Sequence, residues 1–176
     1  MLDIFKPTYI VESIYNIKAE DLKRLGKEVV FTDLDNTLIA WNHPHATDEV
    51  IEWFKELDKN GLEVVVLSNN KPKRVSEALK ALNITQVPSA YKPRRKGFKK
   101  AFNSVDSTKD KIIMIGDQII TDIIGANRFK IDSILVKPIL ESDAWNTKFN
   151  RMIEYRILKH IVKHDPKMEW SNSIDD

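Results

Sequence analysis

The stretch VVFTDLDNT, residues 29–37, decides the fold, because a run of β-favouring residues leads directly into two carboxylates. Residues 29–32 are apolar or β-branched throughout, which is typical of a strand buried on both faces of a parallel sheet. Asp33 and Asp35 follow where that strand ends. Ligands of open α/β sheets bind beyond the carboxyl ends of the strands, so the stretch predicts a strand that leads into a functional site.

Similar apolar runs recur along the chain, at residues 64–67, 112–115 and 133–136, and helical patterns separate them. This alternation predicts βαβ units, and therefore an α/β fold with a three-layer, Rossmann-like parallel sheet. The carboxyl ends of parallel strands share one edge of a sheet. We therefore expect the polar residues at or beyond the predicted strand ends to meet there: Asp33, Asp35, Ser68, Lys92, Asp117 and Asp122.

Length and composition are typical of a single-domain globular protein. With 176 residues the chain has the length of one domain, and 42% apolar with 31% charged residues indicates a globular protein, not a disordered one. The absence of cysteine excludes disulfides, thiolate metal sites and a cysteine nucleophile, and it suits a reducing compartment. A net charge of +2 gives the protein no strong positive potential that would attract nucleic acid, so we do not expect a nucleic-acid partner.

The apolar runs are too short for a membrane span, which needs about 18 apolar residues. The first residues, MLDIFKP, lack the basic stretch and apolar core of a secretory signal. We therefore expect a cytoplasmic protein, and peripheral contact at the inner membrane face and oligomer formation both stay open.

Four segments are predicted along the chain: an N-terminal amphipathic flank at 1–28, a catalytic core at 29–146, a basic amphipathic helix at 147–164 and a disordered tail at 165–176. Two interpretations of the helix at 147–164 stay open. Its apolar face either packs on the core or docks at a membrane interface, which basic amphipathic helices favour.

Four segments resemble, in order, the motifs of the haloacid dehalogenase (HAD) phosphatase superfamily. They are Asp33–Thr37, Ser68 in LSNN, Lys92 in YKP, and GDQIITD at 116–122. The same segments are similar to the YqeG-like, phosphatidylglycerophosphatase-like branch of subfamily IIIA, and that resemblance extends over nearly the whole chain. It implies an HAD-like fold and a phosphatase that hydrolyses a phosphomonoester.

The resemblance also implies roles for the catalytic residues. Asp33 is the expected nucleophile that forms an aspartyl-phosphate, and Asp35 the expected general acid and base. Ser68 and Lys92 are expected to bind the phosphoryl oxygens.

The remaining roles concern the cofactor and the substrate phosphate. Mg²⁺ is the expected cofactor, held by Asp33, Asp117 and the backbone carbonyl of Asp35, with Asp122 in support. Phosphate binding is further expected from Asn36, Thr37 and Asn69.

The spacing of the motifs predicts a capless enzyme. About 30 residues separate Asp35 from Ser68, and about 20 separate Ser68 from Lys92, so neither interval has room for a separate cap domain. An open site suits a phosphate carried on a bulky substrate.

The resemblance implies phosphatidylglycerophosphate, an intermediate of anionic phospholipid biosynthesis, as that substrate. Two alternatives stay open at this point. One is a phosphatase of phosphoproteins or nucleic-acid ends, and the other is a non-catalytic binding module that has kept the fold.

Overall fold

The computed structural model describes residues 3–140, 148–165 and 168–174, with side chains for all of these except 148–151. Its strands are β1 (Tyr9–Val11), β2 (Val29–Thr32), β3 (Glu63–Leu67), β4 (Thr85–Val87), β5 (Ile112–Gly116) and β6 (Asp132–Val136). They form one sheet in the order β1-β6-β5-β2-β3-β4, and all neighbouring strands are parallel. The predicted α/β fold with a parallel sheet is therefore confirmed.

The helices are α1 (Ala19–Arg24), α2 (Asp48–Lys59), α3 (Pro72–Ala78), α4 (Arg95–Phe102), α5 (Ile124–Phe129) and α6 (Lys148–His164), and a π-helical turn, Ile119–Ile123, precedes α5. Local chemistry sets their ends. At α2, for example, the Thr47 side chain accepts a hydrogen bond from the Val50 N–H, and Gly61 lies beyond the helix at a φ of +72°. Within the described ranges, none of these helices has the length and apolar content to cross a bilayer.

Alternate residues of the strands face two separate hydrophobic cores, which produces the three layers. In β2, Val30 points into the core that α1, α2 and α3 cover. Val29 and Phe31 point into the opposite core, under α4 and α5. Both faces are covered, which explains why the strands consist of continuous apolar runs with no alternation of apolar and polar residues.

The N-terminal segment is part of this sheet, which differs from the predicted flank at 1–28. Strand β1 pairs with β6 at the edge of the sheet, and Val11 is completely buried. Leu22 of α1 is also completely buried and belongs to the same core as β2. A strand of three residues is too short to produce a recognisable pattern, so the sequence showed only scattered apolar positions.

Helix α6 packs on the domain. Ile161 is 5% exposed, and Ile157 and Leu158 pack against a cluster that includes Ile10 and Leu135 from the sheet. These contacts favour the interpretation in which the apolar face of the helix covers the core. The predicted boundary between core and helix, at 146 and 147, lies outside the described residues.

The described part of the predicted disordered tail is packed as well. Ser171 forms a bridge with Val11, and its carbonyl accepts a 2.8 Å hydrogen bond from the Glu12 N–H. Trp170 packs against the same cluster as α6. An edge strand offers backbone groups for pairing, and this polar segment satisfies them. Residues 166–167 and 175–176 lie outside the described residues.

If the first 28 residues belong to the fold, Leu22→Ala should reduce the free energy of unfolding by about 2–5 kcal/mol, because it leaves a cavity in the core. The exposed neighbour Glu20 provides a control, and Glu20→Ala should change stability by about 0.5 kcal/mol or less. Urea unfolding followed by circular dichroism measures both variants. Equal stability of Leu22→Ala and wild type would mean that α1 is peripheral to the fold.

Candidate active site

The ends of the central strands bring the predicted site residues together. Asp33 follows β2, Ser68 follows β3, Asp117 follows β5, and Lys92 lies five residues beyond β4. The Asp33 N–H still donates to the Ile115 carbonyl at 3.0 Å, so the sheet hydrogen bonding extends to the first acid. All four residues are buried, with exposed fractions between 1% and 8%. Burial of this much polar surface is costly, and it is unusual outside functional sites.

Lys92 is the cation of the site and contacts two acids at once. Its Nζ lies 2.6 Å from Asp33 Oδ1 and 2.7 Å from Asp122 Oδ1. Burial alone would lower the pKa of Lys92, but Asp122 and Asp33 outweigh that effect and hold it above the ordinary value. Lys92 therefore remains charged across the physiological pH range.

Asp122 belongs to the centre of the site, and Gly116 makes room for it. Its carboxylate is fully buried, and Oδ2 accepts a 3.1 Å hydrogen bond from the Gln118 N–H. A Cβ at Gly116 would lie 2.3 Å from Asp122 Oδ2, so only glycine allows this approach. Glu154 of α6 supports the same turn, because its Oε1 accepts from the Ile120 N–H at 2.8 Å.

Three residues predicted to bind phosphate hold other parts of the site in place. Asn36 is at a φ of 67°, and its Oδ1 accepts from the Trp41 N–H at 3.2 Å. Thr37 Oγ1 donates to Asp117 Oδ1 at 3.0 Å. Asn69 contacts the backbone of Lys92 twice: its Oδ1 accepts from the N–H at 2.7 Å, and its Nδ2 donates to the carbonyl at 3.1 Å. These contacts brace the loops that carry Asp33, Asp117 and Lys92.

Asp35 contacts two residues that the sequence reasoning missed. Its Oδ1 accepts from Arg74, and its Oδ2 accepts from Asn70 Nδ2 at 2.6 Å. Asn70 stands in the LSNN segment, so its place beside Ser68 was a usable signal. Arg74 lies in the first turn of α3, among other basic residues, and sequence alone does not distinguish it from them.

Comparison with known proteins now identifies the family. Residues 3–130 match the haloacid dehalogenase-like hydrolases. The chain belongs to this family. It is also 39% identical over 166 residues to the probable phosphatase YqeG of Bacillus subtilis (strain 168), an alignment that covers 94% of this chain and 96% of that protein. Both findings confirm the predicted resemblance: the chain is a haloacid dehalogenase-like hydrolase, and it is similar to a probable phosphatase.

Two solved structures align with this chain. An uncharacterized protein from Listeria monocytogenes serotype 4b aligns with a TM-score of 0.52 at 19% identity, over 66% of this chain and 84% of that one. A haloacid dehalogenase-like hydrolase from Brucella suis 1330 aligns with a TM-score of 0.49 at 11% identity, over 72% and 93% of the two chains. At this level of identity, the first of these similarities supports the fold and nothing more specific.

The residues of the site fit the Mg²⁺ ion that the hydrolase family implies. Carboxylate oxygens of Asp33, Asp117 and Asp122 lie within 4.8 Å of one another, and all three residues are buried. Hard oxygen ligands of this kind suit Mg²⁺. Three carboxylates at this distance repel one another strongly in a buried setting, and a divalent cation would relieve that repulsion.

Burial, and to a smaller extent the neighbouring acids, affect the pKa of Asp33. Burial raises the pKa of Asp33 from 3.8 to about 8; Lys92 opposes the rise, while Asp122 and Asp117 add to it. Without a metal ion, burial and the neighbouring acids therefore favour the protonated form of Asp33. A cation bound between the acids would favour the ionised form.

In the absence of divalent cations, we expect the free energy of unfolding to decrease as pH rises from about 4 to about 8. Over that range the unfolded chain has already lost the Asp33 proton, whereas the folded protein still holds it. Asp33→Asn should flatten this part of the profile and make the metal-free protein more stable than wild type above about pH 8. Urea unfolding in EDTA measures the effect.

The control is Asp58→Asn, which changes an exposed acid on α2 and should follow the wild-type profile. Added Mg²⁺ should stabilise wild type and should stabilise Asp33→Asn less. Identical pH profiles for wild type and Asp33→Asn would contradict the raised pKa of Asp33.

Proposed function

We propose that the protein is a Mg²⁺-dependent phosphatase that hydrolyses a phosphomonoester through an aspartyl-phosphate on Asp33. The main support is the contact between Lys92 Nζ and Asp33 Oδ1 at 2.6 Å, inside a buried cluster of acids. A carboxylate that has to attack a phosphate dianion needs positive charge at the point of attack, and Lys92 supplies a fixed part of it.

The proposed reaction has two steps. In the first, a carboxylate oxygen of Asp33 attacks phosphorus, the bond to the leaving oxygen breaks, and Asp35 gives that oxygen a proton. In the second, Asp35 removes a proton from water, which attacks the aspartyl-phosphate, releases inorganic phosphate and restores Asp33. Lys92 and the Ser68 hydroxyl would stabilise the phosphoryl oxygens in both steps.

The ion would be held by Asp33, Asp117 and the backbone carbonyl of Asp35, with Asp122 in support. When bound, Mg²⁺ supplies the charge that offsets repulsion between the carboxylate and the phosphate. Thr37 would orient Asp117 for this role, because its hydroxyl donates to Asp117 Oδ1 at 3.0 Å.

For the substrate, we propose the phosphomonoester of a lipid headgroup, with phosphatidylglycerophosphate as the candidate that the sequence resemblance implies. The described segments between the motifs contain only loops, helices α2 and α3 and strands β3 and β4, without a cap domain. A phosphate that remains attached to a membrane can reach such a site, whereas a small metabolite would be poorly enclosed.

The rim of the site carries features that suit a lipid surface. Trp41, Tyr91 and Ile139 are large apolar side chains that are 40%, 59% and 42% exposed. Each follows the carboxyl end of a parallel strand, so all three lie at the sheet edge that holds the site. The backbone N–H groups of Trp41 and Ile139 both bond to Asn36, which places these two beside the first motif.

Exposed basic residues share that edge: Lys71, Lys73, Arg94, Arg95 and Lys96. Exposed aromatic side chains with basic neighbours are typical of surfaces that dock on anionic membranes. The rim therefore supports an anionic lipid surface as the carrier of the substrate phosphate.

Phosphate release from p-nitrophenyl phosphate tests the enzyme proposal. We expect Mg²⁺-dependent turnover that EDTA abolishes, and a loss of at least about a thousandfold in Asp33→Asn, because the nucleophile is gone. Asp58→Asn should keep wild-type activity. Wild-type turnover no greater than that of folded Asp33→Asn would refute the proposed reaction.

Vesicles that contain phosphatidylglycerophosphate test the lipid proposal. We expect a higher kcat/KM for this lipid than for glycerol 3-phosphate, and a several-fold lower kcat/KM on vesicles for the double variant Trp41→Ser, Ile139→Ser, because the apolar rim no longer docks. Tyr155→Ser changes an exposed aromatic on α6 and should have little effect. A preference for the soluble ester, or an equal loss in the Tyr155 variant, would count against docking through the rim.

A further inference from the structure

Asp35 is held by three side-chain nitrogen atoms, two from Arg74, which lies outside the motifs, and one from Asn70. Arg74 Nη2 and Nε donate to Asp35 Oδ1 at 2.8 Å and 3.2 Å. Asn70 Nδ2 donates to Asp35 Oδ2 at 2.6 Å. Both carboxylate oxygens therefore have donors. One donor residue, Arg74, lies in α3, and the other, Asn70, lies in the loop between β3 and α3, so the plane of the carboxylate is fixed with respect to these elements.

Arg74 is itself attached to rigid parts of the fold. Helix α3 begins at Pro72, and its Val75 and Ala78 side chains are buried in the core. The remaining terminal nitrogen, Arg74 Nη1, donates to the Pro44 carbonyl at 3.0 Å. The guanidinium thus connects α3 to the loop that follows Asp35 and holds the carboxylate from a fixed helix.

The two carboxylate oxygens of Asp35 accept different numbers of hydrogen bonds. A carboxylate oxygen accepts about two hydrogen bonds. Oδ1 receives two from Arg74, whereas Oδ2 receives one from Asn70. Oδ2 therefore has an acceptor position left, and it is the oxygen on which a transferred proton can reside.

We propose that Arg74 is a positioning residue that, together with Asn70, holds Asp35 so that its Oδ2 exchanges the proton with the leaving oxygen. The inference rests on the proposed phosphatase function and adds a residue to it. Proton transfer requires the carboxylate within hydrogen-bond reach of its partner, and a displacement of about 1 Å can cost about a hundredfold in rate.

If Arg74 only stabilised the fold, its substitution would affect unfolding more than catalysis. Arg74 and Asp35 keep side-chain exposures of 23% and 17%, so the ion pair is partly open to water. Such pairs contribute little to stability. A positioning role therefore predicts a large effect on one chemical step together with a small effect on unfolding.

The test uses the dependence of kcat/KM on the leaving group, in the full chain with Mg²⁺. p-Nitrophenyl phosphate has a leaving oxygen that needs little protonation, whereas phenyl phosphate has a more basic one that depends on the acid. We expect Arg74→Gln to lower kcat/KM about 10- to 100-fold for phenyl phosphate and only a few-fold for p-nitrophenyl phosphate. In an Asp35→Asn background, Arg74→Gln should cause no further loss on phenyl phosphate.

Arg74→Lys is the conservative variant and keeps the charge without the planar fork. It should restore part of the phenyl phosphate activity, and unfolding curves of both variants verify that they fold. Equal losses on the two esters, or additive losses with Asp35→Asn, would overturn the inference while the phosphatase proposal stands. Absence of wild-type turnover on both esters would instead refute the proposed function.

Discussion

The ammonium group of Lys92 is the interaction on which the site depends. It stands within 2.7 Å of two buried carboxylates, those of Asp33 and Asp122, and Asp117 lies in the same cluster. Removal of Lys92 would leave its buried acid partners without a compensating positive charge, which costs several kcal/mol. Much of the surrounding structure serves this contact: Asn69 holds the backbone of Lys92, and Gly116 gives Asp122 its space.

The central part of the fold was predictable from sequence, because its strands are apolar on both faces. Strand β2 occupies the predicted residues, and β3, β5 and β6 differ from prediction by one residue at an end. Strand β1 was not predictable, because three residues give no periodicity and its pairing with β6 joins positions more than 120 residues apart. The packed segment around Ser171 escaped notice for a related reason: it is polar, and the edge of β1 orders it through the backbone.

The acids and the lysine of the site were predictable, because each stands at or beyond the end of a strand and matches a motif. The structure brings Asp33, Lys92, Asp117 and Asp122 into one cluster. Arg74 was not predictable, because its role follows from the distance between α3 and the loop after β2. Asn69 shows a second limit: sequence indicated that it belongs to the site, but its contacts with the Lys92 backbone follow only from the coordinates.

The arrangement of β1 also constrains how the chain acquires its structure during synthesis. Tyr9–Val11 is synthesised more than 120 residues before its partner strand, residues 132–136, and its outer contact is Ser171. This segment must stay unpaired until residues 132–136 have been made. Because β1 has only three residues, the unpaired segment offers other nascent chains few backbone groups for strand pairing. The short strand therefore limits aggregation during synthesis.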